Sequence, residues 1–267
     1  MQKRGGFVKK IIKFLCVIVV ILLLTTVASA RNGIGWYCVR GKNHMQPKLD
    51  STLSVIDDYD VYWIDKHYND DNKEKVIYLT FDAGYENGNV EKILDVLKKE
   101  NVQAGFFVLE NILLKNPDLI KRMINEGHTI ANHTATHRDT SKIRSKEEFC
   151  KEIRRLETVF EENYSMPMAK FFRPPEGKFS TDNLVWAKEM GYKTVMWSFA
   201  YADWDNGRQI SSEKAKGIIL KNIHNGEVML LHPTSETNAL ILEDIILELK
   251  NQGFKFGTLE ELCLNEA

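Results

Sequence analysis

The sequence predicts an α/β fold, a (β/α) barrel of about seven parallel strands, preceded by an export leader and a short arm. Two observations predict the barrel. From about Val76 onward, short apolar runs alternate with longer amphipathic segments, the pattern of successive βαβ units. Ionisable residues follow the strand runs directly, on the edge where parallel α/β sheets bind ligands. The length of 267 residues agrees, because barrels of this kind use about 200–250 residues as one unit.

Residues 1–30 read as a targeting segment. Lys3, Arg4, Lys9, Lys10 and Lys13 lead into the apolar run Phe14 to Leu24, which ends in Ala28-Ser29-Ala30. That run is short for a membrane span, which needs about 20 apolar residues. It can serve as a cleaved secretory signal or as a retained membrane anchor. Cys16 lies inside the run rather than after small residues, which argues against a lipoprotein anchor. Without these thirty residues the net charge falls from −1 to about −6, so the body offers no basic footprint for nucleic acid. Cys38, Cys150 and Cys263 would remain after export. They are widely spaced with no C-x-x-C pair, so neither a disulfide framework nor a thiolate metal site is indicated. Residues 31–71 are polar, with Trp36-Tyr37 and a break at Pro47, and read as an arm lying on the surface of the domain that spans 72–265.

Within that domain, Val76–Phe81 is a buried-strand run and 90–101 has helical spacing. Gln103–Leu109 is the next strand, followed by a helix near 112–127 interrupted at Pro117. Further strands are expected at His128–Asn132, Lys170–Arg173, Lys193–Trp197, Glu227–His232 and Phe254–Phe256. Helices at 145–164, 181–190, 211–224 and 239–252 fill the gaps.

The polar residues at the strand ends are Asp82, His133 with His137, Arg173, Asp203-Trp204 and His232. One such residue is usually a cap or a solvated charge; five strand ends in succession point to one shared site. His133 and His137 are four apart, so on a helical turn both rings would reach one cation. Alone the spacing is weak, and no Glu follows the first His as in the zincin motif.

Thr80-Phe81-Asp82-Ala83-Gly84, His133-Thr134-x-x-His137, Arg173-Pro174-Pro175-Glu176-Gly177, Asp203-Trp204 and Leu230-Leu231-His232 resemble, in order, the five motifs of the polysaccharide deacetylase (NodB-homology) family. The resemblance covers roughly residues 72–265. It implies a distorted (β/α) barrel that hydrolyses an N-acetyl group on a sugar with the help of a divalent metal ion, zinc or another transition metal. Asp82 would be the general base, His133 and His137 the metal ligands, and His232 the general acid. Arg173 would hold Asp82 ionised, with Asp203 orienting Arg173. The backbone N–H of Glu176 would steady the oxyanion, and Pro175, Trp204 and Leu230 would line the groove. The chemistry suits these groups: amide hydrolysis needs an activated water, charge stabilisation and a proton for the leaving amine.

Two positions depart from the family pattern. The usual second Asp of the first motif, a third metal ligand, is Ala83, and an Asp usual in the fourth motif is Ala200. Catalytic zinc sites generally have three protein ligands, so the third place would fall to water, substrate or another carboxylate such as Glu86. The runs around Ala83 and Ala200, with the Trp36-Tyr37 arm, look like those of the muramic-δ-lactam-forming N-acetylmuramic acid deacetylases of endospore formers. The implied partner is the peptidoglycan glycan strand, met outside the cytoplasm by a monomer touching the membrane only through residues 1–30. The alternatives are a deacetylase acting on N-acetylglucosamine units and a glycan-binding pseudoenzyme.

Overall fold

The computed structural model describes residues 33–264. The basic and apolar leader, with Cys16, lies outside the described residues. In chain order the elements are β1 (Ile34–Gly35), β2 (Val61–Tyr62), β3 (Lys75–Ala83), α1 (Val90–Lys99), β4 (Gly105–Val108), α2 (Glu110–Lys115), α3 (Pro117–Asn125), β5 (Thr129–Asn132) and α4 (Lys146–Tyr164). They continue with β6 (Phe171–Phe172), β7 (Lys178–Phe179), α5 (Thr181–Glu189), β8 (Lys193–Val195), α6 (Ser212–Asn222), β9 (Glu227–Leu231), α7 (Glu236–Asn251), β10 (Phe254–Phe256) and α8 (Leu259–Leu264). No helix among the described residues is long and apolar enough to cross a membrane.

The main sheet runs β10-β3-β4-β5-β6-β8-β2, with every pairing parallel, and β9 pairs with β3. Just beyond β8, Phe199 bridges Met229 of β9, so the sheet curls back on itself as a distorted barrel. β3 is buried on both faces, as a parallel strand covered by helices must be. Its alternate residues Val76 and Tyr78 join Phe107, Ala131, Phe171, Val195 and Val228 in the barrel interior. Ile77, Leu79 and Phe81 face outward onto Ile93 and Leu97 of α1 and Ile245 and Leu249 of α7.

Local chemistry sets the helix limits. Ser145 Oγ accepts the Glu148 N–H to start α4, and that helix stops at Ser165 in the left-handed region. The break at Pro117 is present: α2 ends at Asn116 and proline opens α3, where its missing N–H costs nothing.

All seven expected strands occur, but residues 33–70 do not simply lie on the surface. β2 adds an eighth strand, with Thr194 N–H on Asp60 O and Met196 N–H on Tyr62 O at 2.9 and 2.8 Å. β1 pairs antiparallel with β7. Trp36, Leu53, Ile56, Trp63 and Ile64 pack against Phe179, Leu184 and Met196 as a cluster of their own. A two-residue strand carries no alternation to read, and these apolar side chains are spread thinly among polar ones.

Candidate active site

The strand ends gather the expected residues at one mouth of the barrel. On β3 the inward face reads Val76, Tyr78, Thr80, Asp82, so Asp82 is the first residue of that face able to meet solvent. On β9, Leu230 shares the face of Val228 one step nearer the mouth and is 4% exposed.

Arg173, at the end of β6, is fully buried and plugs this end of the barrel. Its Nε donates to Val195 O at 3.0 Å, Nη1 to Asp82 Oδ1 at 2.8 Å, and Nη2 to Thr80 Oγ1 and Met196 O at 3.0 and 3.1 Å. The guanidinium also lies 4.0 Å over the Phe107 ring. Burial works against ionisation of Asp82, but His133, Arg173 and His232 outweigh it and hold the carboxyl below the ordinary aspartate value. Thr80 and Phe107 hold the arginine, a role the sequence reading did not assign; their place on the inward faces of β3 and β4 was the only signal.

The His133–His137 segment is not a helical turn. Thr134 and His137 have φ of 71° and 60°, left-handed values, and the loop is built by side-chain bonds to its own backbone. Asn132 Oδ1 accepts from Thr134 N–H at 2.8 Å, and Thr134 Oγ1 from His137 N–H at 2.9 Å. The two rings still converge, with centroids 5.1 Å apart. His133 Nδ1 lies 2.8 Å from Arg173 O; a carbonyl only accepts, so Nδ1 carries the proton and Nε2 is bare. Burial pushes the His133 pKa down to about 4, so the ring is neutral at physiological pH.

Bare Nε2 faces Asp82 Oδ2 at 3.4 Å. Two lone-pair atoms so close call for a positive charge beside them, and the two neighbouring imidazoles are donors of the kind a divalent transition-metal cation takes. Two imidazoles are fewer than the three protein ligands of a catalytic zinc site. The Ala83 methyl is buried in the outward core and offers no donor. Glu86 spends Oε1 on the Gly88 N–H, while its Oε2 is buried without a partner. Among the described residues no three His, Cys, Asp or Glu side chains form a metal-holding group, so Glu86 does not complete the histidine pair.

Asp203 corrects the expectation most clearly: it orients His232, not Arg173. Its Oδ1 lies 2.8 Å from His232 Nδ1, and its Oδ2 accepts the His232 backbone N–H at 2.7 Å. Arg173 already has four acceptors on the other side of the mouth. Burial pulls the His232 pKa down, but Asp203, joined by Asp82, prevails and raises it above the ordinary imidazole value. With Nδ1 bound to Asp203, Nε2 is left to donate.

Pro175, Glu176 and Gly177 form a tight turn after β6. Glu176 sits at φ 56°, ψ 14°, strained for a non-glycine residue, and its carboxylate turns outward to Lys178. Gly177 has φ +64°, and an added Cβ would lie 2.8 Å from Trp197 and 2.9 Å from Trp36, so only glycine fits. Pro175 is buried, whereas Trp204 is 63% exposed at the rim. A separate cleft of about 810 Å³, lined by Gln103, Arg122 and His128, lies at the opposite ends of β4 and β5 and holds none of these residues.

A carboxylate paired with arginine and an imidazole paired with a second carboxylate, both at the same strand ends of an α/β barrel, suit acid–base hydrolysis, and the chain belongs to the polysaccharide deacetylase family. The family model "Polysaccharide deacetylase" matches residues 69–195. The chain is 39% identical to the peptidoglycan-N-acetylmuramic acid deacetylase PdaA of Bacillus subtilis, over 87% of each chain. The solved structure of Bacillus subtilis PdaA, described as a family 4 carbohydrate esterase, superposes with a TM-score of 0.82 at 37% identity, covering 89% of this chain and 99% of that one. A peptidoglycan-N-acetylglucosamine deacetylase of Bacillus cereus is 33% identical over 75% of this chain and 74% of its own length.

Proposed function

We propose that this protein removes the N-acetyl group from N-acetylmuramic acid in peptidoglycan, outside the cytoplasm, and that the freed amine closes with the lactyl carboxyl as the muramic δ-lactam of spore cortex. The observation that carries the reading is the opposed pairing of two groups at one mouth: Asp82 takes Arg173 Nη1 at 2.8 Å and titrates below its ordinary value, while His232 Nδ1 lies 2.8 Å from Asp203 Oδ1 and the ring titrates above its own. Acid and base assignments follow when two environments push titrations apart.

In this reading Asp82 takes a proton from the attacking water as oxygen bonds to the acetamide carbon. The Glu176 N–H faces the developing oxyanion. His232 Nε2 then protonates the amine nitrogen, the C–N bond breaks, and acetate and the sugar amine leave. Arg173 fixes Asp82 through Oδ1, leaving Oδ2 for the water. His133 and His137 would hold a divalent cation, which acidifies water and polarises the carbonyl when bound. Trp204 gives a sugar ring an apolar face, and Leu230 receives the acetyl methyl.

The test is acetate release from peptide-free glycan, with the deacetylated residue located by mass spectrometry. Loss from muramic acid supports the proposal, and addition of a chelator should suppress it. Loss confined to glucosamine would transfer the function to the second reading, which the Bacillus cereus relative motivates. Glycan binding with no acetate under any metal would leave a pseudoenzyme.

The alkaline limb of activity belongs to His232. Its raised pKa keeps the acid form to above the ordinary value of about 6.5. Asp203→Asn removes the carboxylate, so burial is opposed only by the more distant Asp82, and the limb should move to lower pH. Acetate release measured from pH 5 to 9 checks the direction; an unmoved limb would assign it to another group.

A further inference from the structure

Asp203 is itself held, and the groups holding it come from outside the five motifs. Asn238, the third residue of α7, is buried. Its Nδ2 donates to Asp203 Oδ2 at 2.6 Å and to His232 O at 3.1 Å. Both partners only accept, so the amide orientation is chemically determined: Nδ2 faces the carboxylate and Oδ1 faces away. Oδ1 meets the Tyr201 hydroxyl, which must therefore be the donor. The amide cannot turn over without setting its oxygen against Asp203 and its nitrogen against a donor.

Three more bonds brace the frame. The Asn238 N–H donates to Ser235 Oγ at 3.1 Å, and Gln209 Nε2 donates to Asp203 O at 2.9 Å. Ser235 Oγ in turn donates to Gln209 Oε1 at 2.5 Å.

We infer that Asn238, oriented by Tyr201, is a positioning residue for the catalytic acid: it locks the Asp203 carboxylate so that Oδ1 stays on His232 Nδ1. Without the amide, Oδ2 keeps only the His232 backbone N–H, and the carboxylate can swing off the ring. The inference deepens the proposed function and rests on His232 being the proton donor. The charged groups facing His232 are Asp203, Asp82 and Arg173, and none of them is altered by changing Asn238 or Tyr201.

The experiment reads the imidazole and the reaction separately. In N238A, the pKa of His232 followed by NMR titration should fall by about one unit, which leaves roughly a tenth of the acid form at pH values well above the wild-type pKa. In acetate release on the alkaline limb, kcat should fall about tenfold, KM should stay within about twofold, and the limb itself should move down with the NMR value. N238L, which keeps much of the volume but has no donor and no charge, should fail to restore kcat. Y201F should move both readouts in the same direction by less, because the two acceptors still hold Nδ2.

A His232 pKa unchanged in a folded N238A protein would overturn the inference, whatever the activity does. So would a kcat loss that merely follows a lowered melting temperature, with the limb unmoved. If the wild-type chain releases no acetate, the functional proposal fails, and the NMR titration still decides whether Asn238 sets the imidazole.

Discussion

Asp82→Asn is expected to lower acetate release by about 10²–10⁴-fold, the usual contribution of a general base. The change is nearly isosteric, and Asn Oδ1 can still accept the Arg173 Nη1 bond seen at 2.8 Å, so the fold should survive. The chemistry does not. An amide cannot take a proton from water, and its NH₂ would replace the oxygen now 3.4 Å from bare His133 Nε2. That NH₂ would donate to the imidazole and occupy the nitrogen otherwise open to a cation. Loss of turnover should therefore come with weaker metal retention, measured by elemental analysis after dialysis. A variant keeping more than a tenth of wild-type turnover, with native near-ultraviolet circular dichroism, would remove Asp82 from the role of base.

Arg173→Met should produce the largest loss of stability. Methionine fills much of the volume but leaves Asp82, Thr80 Oγ1 and the carbonyls of Val195 and Met196 without their donor. Removing one partner of a buried ion pair typically costs about 3–5 kcal/mol. The pH dependence of that loss has a definite sign. In the wild-type protein Asp82 titrates below its ordinary value, so its ionised form contributes stability above the unfolded value near 3.9, and that contribution is lost as pH falls through the folded value. In the variant, burial loses its main fixed opponent and pushes the carboxyl upward. Neutral Asp82 is then favoured in the fold, and stability is lost as pH rises through the new folded value. The gap between wild type and variant should widen from pH 4 to pH 7 in urea unfolding curves. A gap independent of pH would mean that packing, rather than the charge pair, dominates at Arg173.

The barrel was legible because parallel strands covered on both faces leave continuous apolar runs, and all seven that the runs mark are present. The site residues were legible for a related reason. Side chains just past the strands must share one mouth when all pairings in the sheet are parallel. What the sequence did not carry was the wiring between them. Asp203 could have served either Arg173 or His232, because both follow strands that end on the same side of the parallel sheet. The folded geometry decides it: both Asp203 oxygens lie on His232, while the guanidinium spends four of its five N–H groups on Val195, Met196, Thr80 and Asp82. The histidine spacing suggested a helical turn, yet Asn132 and Thr134 bond their own backbone and turn the chain left-handed, an outcome of local competition that four-residue spacing does not encode. Asn238 gave no signal, since an asparagine in a helix's first turn reads as a cap neighbour.

The entry of the chain into the barrel has a mechanical consequence. β1 lies along β7, directly after the Pro175–Gly177 turn, and Trp36 donates its backbone N–H to Gly177 O at 2.9 Å and its indole N–H to Trp197 O at 3.0 Å. The strained peptide that presents Glu176 is thus clamped from behind by the first residues of the body. Cutting at the boundary suggested by composition, near residue 72, would take away one jaw of that clamp. The turn that carries Glu176 and the segment around Trp36 share one set of hydrogen bonds, so a change at Trp36 is felt directly at that turn.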